Sequence, residues 1–395
     1  MRVSTAMFQQ ASLNAILDQQ AALSKTQQQL ATGKRILSPS DDPIGSSMLV
    51  DISQSIAIYE QFNRNADYAE MRLAQEESVL NSVTNALQRA RELAVQANND
   101  TYQASQRKDI AAEVRQILAE VMSLANTTDG NNNYLFSGTL STTVPFSQQA
   151  PGTGQPSEFS YHGDQGQRKL QIGPQRTVAD SDSGFEVFAK VRLKQAEIGP
   201  LRSVDFSVNN ASLSVDERPV LLDQNYQTAA ELASAIQQQL NTPDGRYTVT
   251  SERGFITIRN DAANAGSVIV ANTDANANAA GIQDSDAFVS VFAALDRFAV
   301  ALETNEMSGG RIADIDAALL HVVDFKSTIG ARMNSIDRQR TVNEDFVFNM
   351  TSVRSEIEDL DFAEAISKMN LQLTGMQAAQ QTFTKVQNLS LFNYI

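Results

Sequence analysis

An apolar stripe that repeats every seven residues between positions 43 and 97 limits the folds open to this chain. Asp42 followed by Pro43 is a helix start, because the carboxylate can cap the first turn and proline tolerates the first helical position. Only Ser55 and Glu76 interrupt the stripe. Its length exceeds that of an ordinary globular helix and is typical of a coiled coil. The stripe consists of Met48, Ile52, Tyr59, Phe62, Ala66, Ala69, Leu73, Leu80, Val83, Leu87, Ala90, Ala94 and Ala97.

Further helical stripes lie toward both ends of the sequence. The one before residue 33 is weak, because polar Gln20 and Gln27 occupy two of its core positions. Such a helix needs a partner, since few apolar side chains hold it. Stripes with the same spacing recur at 110–124 and between 286 and 383. The chain is therefore predicted to be helical at both ends.

The segment 141–283 has a different character. It is rich in Gly, Ser, Asn and Pro, and short stretches such as 204–208 and 247–250 alternate polar and apolar residues as strands do. Thr228 and Glu231 have the spacing of a capping box and predict one helix among the strands. The segment is predicted to be a β-rich insert with a small core of its own.

The predicted fold class is mainly α with a β-rich insert, an α+β multidomain chain. Residues 1–40 and 351–395 are predicted to form a terminal coiled-coil domain. A helical rod domain is expected from 41–140 and 284–350, and an outward β-rich variable domain from 141–283. The N-terminal stripes can be buried only against other helices, so the C-terminal helices are the expected partners. Long side surfaces of this kind suit lateral packing in a helical assembly.

Charge is unevenly distributed along the chain. Asp18 is the only acidic residue within 1–40, and 365–395 contains none. Charge-poor helices can pack together without mutual repulsion, so we predict that the two ends carry subunit assembly. The predicted assembly residues are Leu13, Ile16, Leu23, Leu30, Ile366, Met369, Leu373, Met376 and Phe383. The predicted rod-packing residues are Leu80, Leu87, Ile117, Val121, Leu295 and Phe298.

Composition excludes several classes of function. The chain has no cysteine, which rules out disulfides, thiol catalysis and Cys-ligated zinc. Its formal net charge of −15 argues against binding to nucleic acid or to an anionic membrane surface. No run approaches the roughly 18 apolar residues of a membrane span. The first ten residues contain no continuous apolar stretch, so a secreted chain would need a route other than a standard signal peptide.

Catalytic and ligand-binding patterns are also missing from the sequence. His162 and His321 are the only histidines, and neither has a spacing that indicates catalysis or metal binding. Asp129 begins an alternation with asparagines that is better interpreted as a turn than as a calcium loop. Asp359 and Asp361 lie at a helix junction, where ordinary capping or exposure is expected rather than a pair of catalytic carboxylates. We therefore predict a protein that is not an enzyme, with no catalytic residue, no metal and no cofactor.

Several segments resemble bacterial flagellins and their relatives. Leu-Ala-Thr-Gly-Lys-Arg-Ile at 30–36 and Pro-Ser-Asp-Asp-Pro at 39–43 resemble the N-terminal signature of that family. Residues 87–96 resemble the helix that lines the outer tube of the filament, and 133–138 the turn that closes that helical domain. Residues 359–365 resemble the segment that enters the terminal helix. On these residues the chain is identified as a member of the bacterial flagellin family.

Two features differ from filament flagellins and resemble a hook-associated relative within the family. They are the segment 161–188 and the C-terminal residues 389–395, which replace the Leu-Leu-Arg ending of many flagellins. The resemblance implies a structural subunit at the hook–filament junction, reached by flagellar type III export and needed for motility. The implied partners are hook-associated protein 1, flagellin, copies of the chain in a ring, and an export chaperone at the C-terminal helix. A filament flagellin, and an enzyme or adhesin carried in the insert, remain the alternatives.

Overall fold

The computed structural model divides into two compact units. The terminal unit comprises Met1–Arg64 with Gln339–Ile395, and the middle unit comprises Asn65–Arg338. The structure describes residues 5–99, 101–149, 157–193, 195–199, 201–208, 210–242, 245–252, 254–261, 268–272, 274–280, 282, 288–305 and 309–388.

Helices dominate the described residues at both ends of the chain. Two of them are unusually long and contribute residues to both units. The helices are α1 (Thr5–Thr32), α2 (Pro43–Ala97), α3 (Ala104–Ala125), α4 (Ala229–Leu240), α5 (Ala275–Ala279), α6 (Val291–Thr304), α7 (Gly309–Glu358) and α8 (Phe362–Asn388), with a π-helical turn at Phe185–Ala189.

Short antiparallel strands occupy the stretch between α3 and α6. The strands are β1 (Phe146–Gln149), β2 (Glu158–Tyr161), β3 (Lys169–Gly173), β4 (Arg176–Ala179), β5 (Val191–Arg192), β6 (Gln195–Ile198), β7 (Ala211–Val215), β8 (Arg218–Leu222), β9 (Tyr247–Glu252), β10 (Phe255–Asn260), β11 (Val270–Ala271) and β12 (Phe288–Val289). The described strands form three pairs, β1–β2, β3–β4 and β12–β5, and two three-stranded sheets, β6-β10-β9 and β11-β7-β8. The predicted fold class, mainly α with a β-rich insert, is confirmed.

The larger hydrophobic core of the middle unit combines helices with the first strands. It is built from α2, α3, α6 and α7, and the segment 146–193 packs into the same core. Phe292 of α6 is fully buried in this core, with its ring centroid 4.9 Å from that of Phe146 and 5.7 Å from that of Phe188. The residues predicted to pack the rod are all buried in this core: Leu80, Leu87, Ile117, Val121, Leu295 and Phe298.

A second core lies within residues 196–282. The two three-stranded sheets and α4 bury its apolar side chains, among them Leu232, Ile236 and Leu240 of the helix that the capping pattern predicted. Thr228 caps that helix, because its Oγ1 accepts a hydrogen bond from the Glu231 backbone N–H at 3.2 Å. The strands of the predicted insert are thus divided between two cores. The three predicted domain ranges stay a prediction.

The second core is joined to the larger one through neighbouring strands. In the β5–β12 pair Val191 lies opposite Val289, and Arg192 lies opposite Phe288. Opposed residues of an antiparallel pair have Cα atoms about 4.5–5.5 Å apart. The chain therefore leaves the larger core at residue 193 and returns to it at residue 288 through adjacent positions.

Replacement of residues 194–287 by a short Gly-Ser turn is expected to preserve cooperative folding of the larger core. The excised segment contains the second core, and the two cut ends already lie side by side. Urea unfolding followed by circular dichroism measures this. The matched deletion of 146–287 also removes Phe146, Ile172 and Phe188 from the larger core and should abolish the cooperative transition. Equal behaviour of the two deletions would contradict the division into two cores.

Candidate subunit interface

Backbone hydrogen bonds join the segment that follows α1 to the segment that precedes α8. The Arg35 N–H donates to the Glu358 carbonyl at 2.7 Å, and the Leu360 N–H donates to the Gly33 carbonyl at 2.9 Å. The Arg35 guanidinium also donates to the Ile357 carbonyl at 2.9 Å. Gly33 has φ of +69°, a conformation that side-chain-bearing residues rarely adopt. The flagellin-like segments 30–36 and 359–365 are therefore two sides of one joint.

Aspartates fix the chain on both sides of this joint. Asp42 Oδ1 accepts from the Gly45 N–H at 2.9 Å, which confirms the predicted start of α2. Asp361 Oδ1 caps α8 by accepting from the Ala363 N–H at 2.8 Å, as predicted. Asp41 accepts from Lys25 Nζ at 2.6 Å, and this bond, aided by two backbone N–H groups, lowers the pKa of its carboxyl. These contacts order the segment between α1 and α2.

α1 and α8 pack as an antiparallel pair with a thin, partly polar seam. Gln19 Nε2 donates to the Gln372 carbonyl at 3.2 Å, while residue 33 lies beside residue 360. Among the described side chains of this pair, those of Leu23, Thr26, Ala365 and Gln372 are buried. Two of these four side chains are polar, so the fully buried part of the seam is only half apolar.

The predicted assembly residues occupy three different environments in this pair. Leu23 is buried; Leu13 and Ile366 are exposed. The others are partly buried: Ile16, Leu30, Met369, Leu373, Met376 and Phe383. The C-terminal residues 389–395, on which part of the resemblance rests, lie outside the described residues. The assembly role of these residues stays a prediction.

A second helix pair of the terminal unit joins the start of α2 to the end of α7. The Tyr59 and Phe346 rings stack with centroids 3.8 Å apart. The Asn343 side chain is fully buried, and its amide donates to Asn63 Oδ1 at 3.0 Å. Stacked rings and a satisfied buried amide fix the register of the two helices.

Both helix pairs of the terminal unit expose large apolar side chains. Phe348 and Leu371 are each 75% exposed, more than most apolar side chains of a folded chain. Neither residue belongs to a heptad stripe, so the sequence analysis did not select them. A large apolar residue outside the stripe of a predicted helix is the sequence signal that would have identified both. Within the part of the unit that the structure describes, the large exposed apolar residues are Met7, Leu13, Leu17, Ile44, Met48, Val50, Ile58, Val342, Phe348, Val353, Phe362, Ile366 and Leu371. Exposed apolar surface on this scale is typical of an interaction site.

Buried ionic groups of the middle unit also escaped the sequence analysis. Asp296 of α6 is fully buried, forms an ion pair with Arg115 of α3, and accepts from the Ser157 N–H at 2.6 Å. Asp314 of α7 is buried beside Arg311, with Arg297 and Glu197 also facing it. Burial raises the pKa of Asp314 to about 6, although Arg311 opposes the shift. Each group lies where two elements of the middle unit meet.

Mutation of Asp314 to asparagine is expected to stabilise the middle unit at neutral pH. A pKa raised from 3.8 to about 6 favours the folded state in acid. That stabilisation is complete below about pH 4 and is lost as the pH rises through 6. The loss lowers the free energy of unfolding by up to about 3 kcal/mol. Asparagine resembles the neutral acid and should not incur that loss. Urea unfolding at pH 4 and pH 7.5 measures it, and Asp324→Asn, an exposed carboxylate on the same helix, is the control. Equal stability of Asp314→Asn and the natural chain at both pH values would contradict the assignment.

Both histidines have ordinary contacts. His321 Nε2 lies 2.8 Å from the Glu186 carbonyl, and His162 Nε2 lies 2.7 Å from Ser147 Oγ. Within the described residues, no three His, Cys, Asp or Glu side chains are grouped as metal ligands would be. None of the described helices is long and apolar enough to cross a membrane.

Two family models match the ends of the chain. The bacterial flagellin N-terminal helical region matches residues 3–141, and the bacterial flagellin C-terminal helical region matches residues 312–395. Together they cover more than half of the sequence. The chain belongs to the bacterial flagellin family. The resemblance drawn from segments 30–36 and 359–365 is thereby confirmed.

Within the flagellin family, similarity extends over different lengths for different relatives. Flagellar hook-associated protein 3 of Escherichia coli is 28% identical over 392 residues, 99% of each chain. Phase 1 flagellin of Salmonella naestved is 36% identical over only 118 residues, 30% of this chain and 23% of the flagellin. The crystal structure of the flagellar junction protein of Legionella pneumophila has the same fold at 22% identity and a TM-score of 0.51, over 79% of this chain and 99% of that one.

Proposed function

We propose that this flagellin-family chain is a structural subunit of the bacterial flagellum, located at the junction between the hook and the filament. Support comes first from the end-to-end similarity to a hook-associated protein, because the similarity to the filament flagellin spans less than a third of the chain. A filament subunit would be expected to resemble filament flagellins along both helical ends. The chain is thus an extracellular part of the flagellum.

The single observation that carries the assembly role is the apolar surface of the terminal unit. Phe348 and Leu371 extend from two separate helix pairs, and among the described side chains of the α1–α8 pair only Leu23, Thr26, Ala365 and Gln372 are buried. Fully burying a large apolar side chain contributes roughly 1.5–3 kcal/mol. Several such contacts per subunit are enough to hold a helical assembly in which each copy packs against its neighbours.

The proposed partners follow from this position. Copies of the chain form a ring, hook-associated protein 1 lies on the hook side, and flagellin lies on the filament side. An export chaperone binds α8, Phe362–Asn388, before assembly, and covers apolar side chains such as Leu371. No enzymatic activity is part of this proposal.

Deletion of the gene from its host tests the proposed function. Electron microscopy should show intact hooks without filaments, and flagellin should accumulate in the medium because it has no base to polymerise on. Expression of the natural chain from a plasmid should restore filaments and swimming. A deletion strain that keeps hooks with attached filaments would contradict the proposal. Loss of the hook itself would place the chain below the junction.

A further inference from the structure

Glu76, one of the two residues that interrupt the long apolar stripe, lies in a cluster of charged groups in the middle unit, most of them buried. Its side chain is 1% exposed on α2. Glu76 Oε1 accepts from the Asp182 backbone N–H at 3.2 Å. Its other oxygen, Oε2, has no hydrogen-bond partner among the described residues. A buried carboxylate with one bond of this kind would be costly if it were ionised.

The remaining charges of the cluster pair with one another. Arg72 Nη1 binds Asp129 Oδ2 at 3.1 Å, and Arg168 Nε binds Asp180 Oδ2 at 2.8 Å. The two Arg332 Nη atoms bind the two oxygens of Asp182 at 2.8 and 2.9 Å. Three arginines thus match three aspartates, and Glu76 is the fourth acid of the cluster.

Charge balance therefore depends on the state of Glu76. If Glu76 is ionised, the cluster holds four negative groups, all buried, against three positive ones, of which Arg168 is 42% exposed. If it carries a proton, the cluster is neutral, and the Glu76 hydroxyl supplies an additional donor. Asp180 Oδ1, an acceptor oxygen of the same cluster, also has no hydrogen-bond partner among the described residues.

We propose that Glu76 is held as a neutral carboxylic acid in the folded protein, so that folding of the middle unit takes up a proton at neutral pH. The cluster joins α2, the turn at Asp129, the segment 180–182 and α7. The proton on Glu76 neutralises the excess negative charge where these elements meet. Burial, and secondly the Asp182 carboxylate, raise the pKa of Glu76 well above its usual value, with Arg332 and Arg72 opposing the shift.

The sign of the pH dependence follows from the proton uptake. A carboxyl whose pKa is raised on folding stabilises the folded state fully below the unfolded pKa, near 4.5. The stabilisation is lost as the pH rises toward the folded pKa. Over that interval the unfolding equilibrium constant of the natural chain should rise roughly tenfold per pH unit through Glu76 alone. Mild acid therefore tightens this joint.

The test compares the full-length natural chain with Glu76→Gln, which has the shape of the neutral acid but does not titrate. In D₂O near pH 7.5, infrared spectroscopy should show the C=O band of a protonated carboxylic acid in the natural chain and not in Glu76→Gln. Urea unfolding from pH 5 to 8.5 should show a difference of about one proton taken up on folding between the two proteins. Glu77→Gln, one residue away and partly exposed, is the control that should keep the band and the slope.

Two results would overturn the proposal. One is a natural chain without the protonated-acid band near pH 7.5. The other is a Glu76→Gln chain whose unfolding has the same pH slope as the natural chain. If Glu76→Gln does not fold, the band near pH 7.5 is measured in Asp314→Asn, which lacks the other carboxyl whose pKa burial raises. A band that persists there supports the proposal, and its absence overturns it.

Discussion

Replacement of Phe292 by alanine is expected to lower the free energy of unfolding of the middle unit by about 3–5 kcal/mol. The Phe292 side chain is fully buried, and aromatic rings surround it. Its ring centroid lies 4.9 Å from that of Phe146, 5.6 Å from that of Phe159 and 5.7 Å from that of Phe188. Alanine would leave a cavity among side chains from three separate segments. Close packing of a protein core allows the surrounding residues to relax into such a cavity only in part.

Urea unfolding followed by circular dichroism measures this effect, and a second phenylalanine provides a matched control. Phe288 of β12 is 39% exposed, with the charged ends of Lys190 and Arg192 over its ring. Phe288→Ala should cost no more than about 1.5 kcal/mol, because solvent fills the space that the ring leaves. A Phe292→Ala chain as stable as Phe288→Ala would mean that α6 does not pack against the 146–193 strands as described.

Mutation of Leu371 or Phe348 to aspartate is expected to abolish filament attachment while leaving the isolated chain as stable as before. Both side chains are 75% exposed, so the isolated chain loses little and its free energy of unfolding should change by less than about 0.5 kcal/mol. In an assembly the same change removes roughly 1.5–3 kcal/mol of apolar burial per subunit and leaves a charge in a desolvated contact. The measurement pairs filament counts on cells with urea unfolding of the purified chain.

The matched controls add the same charge one residue away. Asn370→Asp and Asn349→Asp lie at exposed positions, and neighbouring residues project about 100° apart around a helix. These controls should support filaments. Failure of the controls as well would mean that net charge decides assembly rather than apolar contact. Normal filaments with Leu371→Asp and Phe348→Asp would contradict the proposed interface.

The helices could be predicted from the sequence because their signals are local. The seven-residue stripe, the Asp42–Pro43 start and the Asp361 cap each depend on a few neighbouring residues, and the structure confirms them. The change of period near residue 141 likewise marks where strands replace helices. Local propensity and tertiary packing agree at these positions.

The rest depends on contacts between distant residues. The alternation of polar and apolar residues did not predict that 146–193 packs into the helical core while 196–282 forms a second core. Alternation shows which face of a strand is buried, but it does not show which element covers that face. The pairing of segments 33–36 and 357–360 is non-local in the same way. The sequence showed Glu76 only as an interruption of the apolar stripe. Its charged surroundings could not be predicted, because Asp182 and Arg332 are more than a hundred residues away along the chain.

Sequence reasoning also gave an incomplete picture of the interface. The heptad pattern selected Leu373 as an assembly residue, and the structure places it partly buried within α8. A substitution there would perturb the isolated chain and the assembly together. Leu371, two residues earlier, is 75% exposed in the isolated chain, so a substitution there separates the effect on assembly from the effect on stability.

The central claim is that the chain occupies one short zone of the flagellum, and immunogold electron microscopy of isolated hook–filament structures tests it most directly. Antibodies raised against the purified full-length chain, and absorbed against flagellin, should label a single narrow band where the hook ends and the filament begins. Labelling along the whole filament would show instead that the chain is a filament flagellin. An unlabelled junction on flagella that come from cells expressing the chain would contradict the proposal outright.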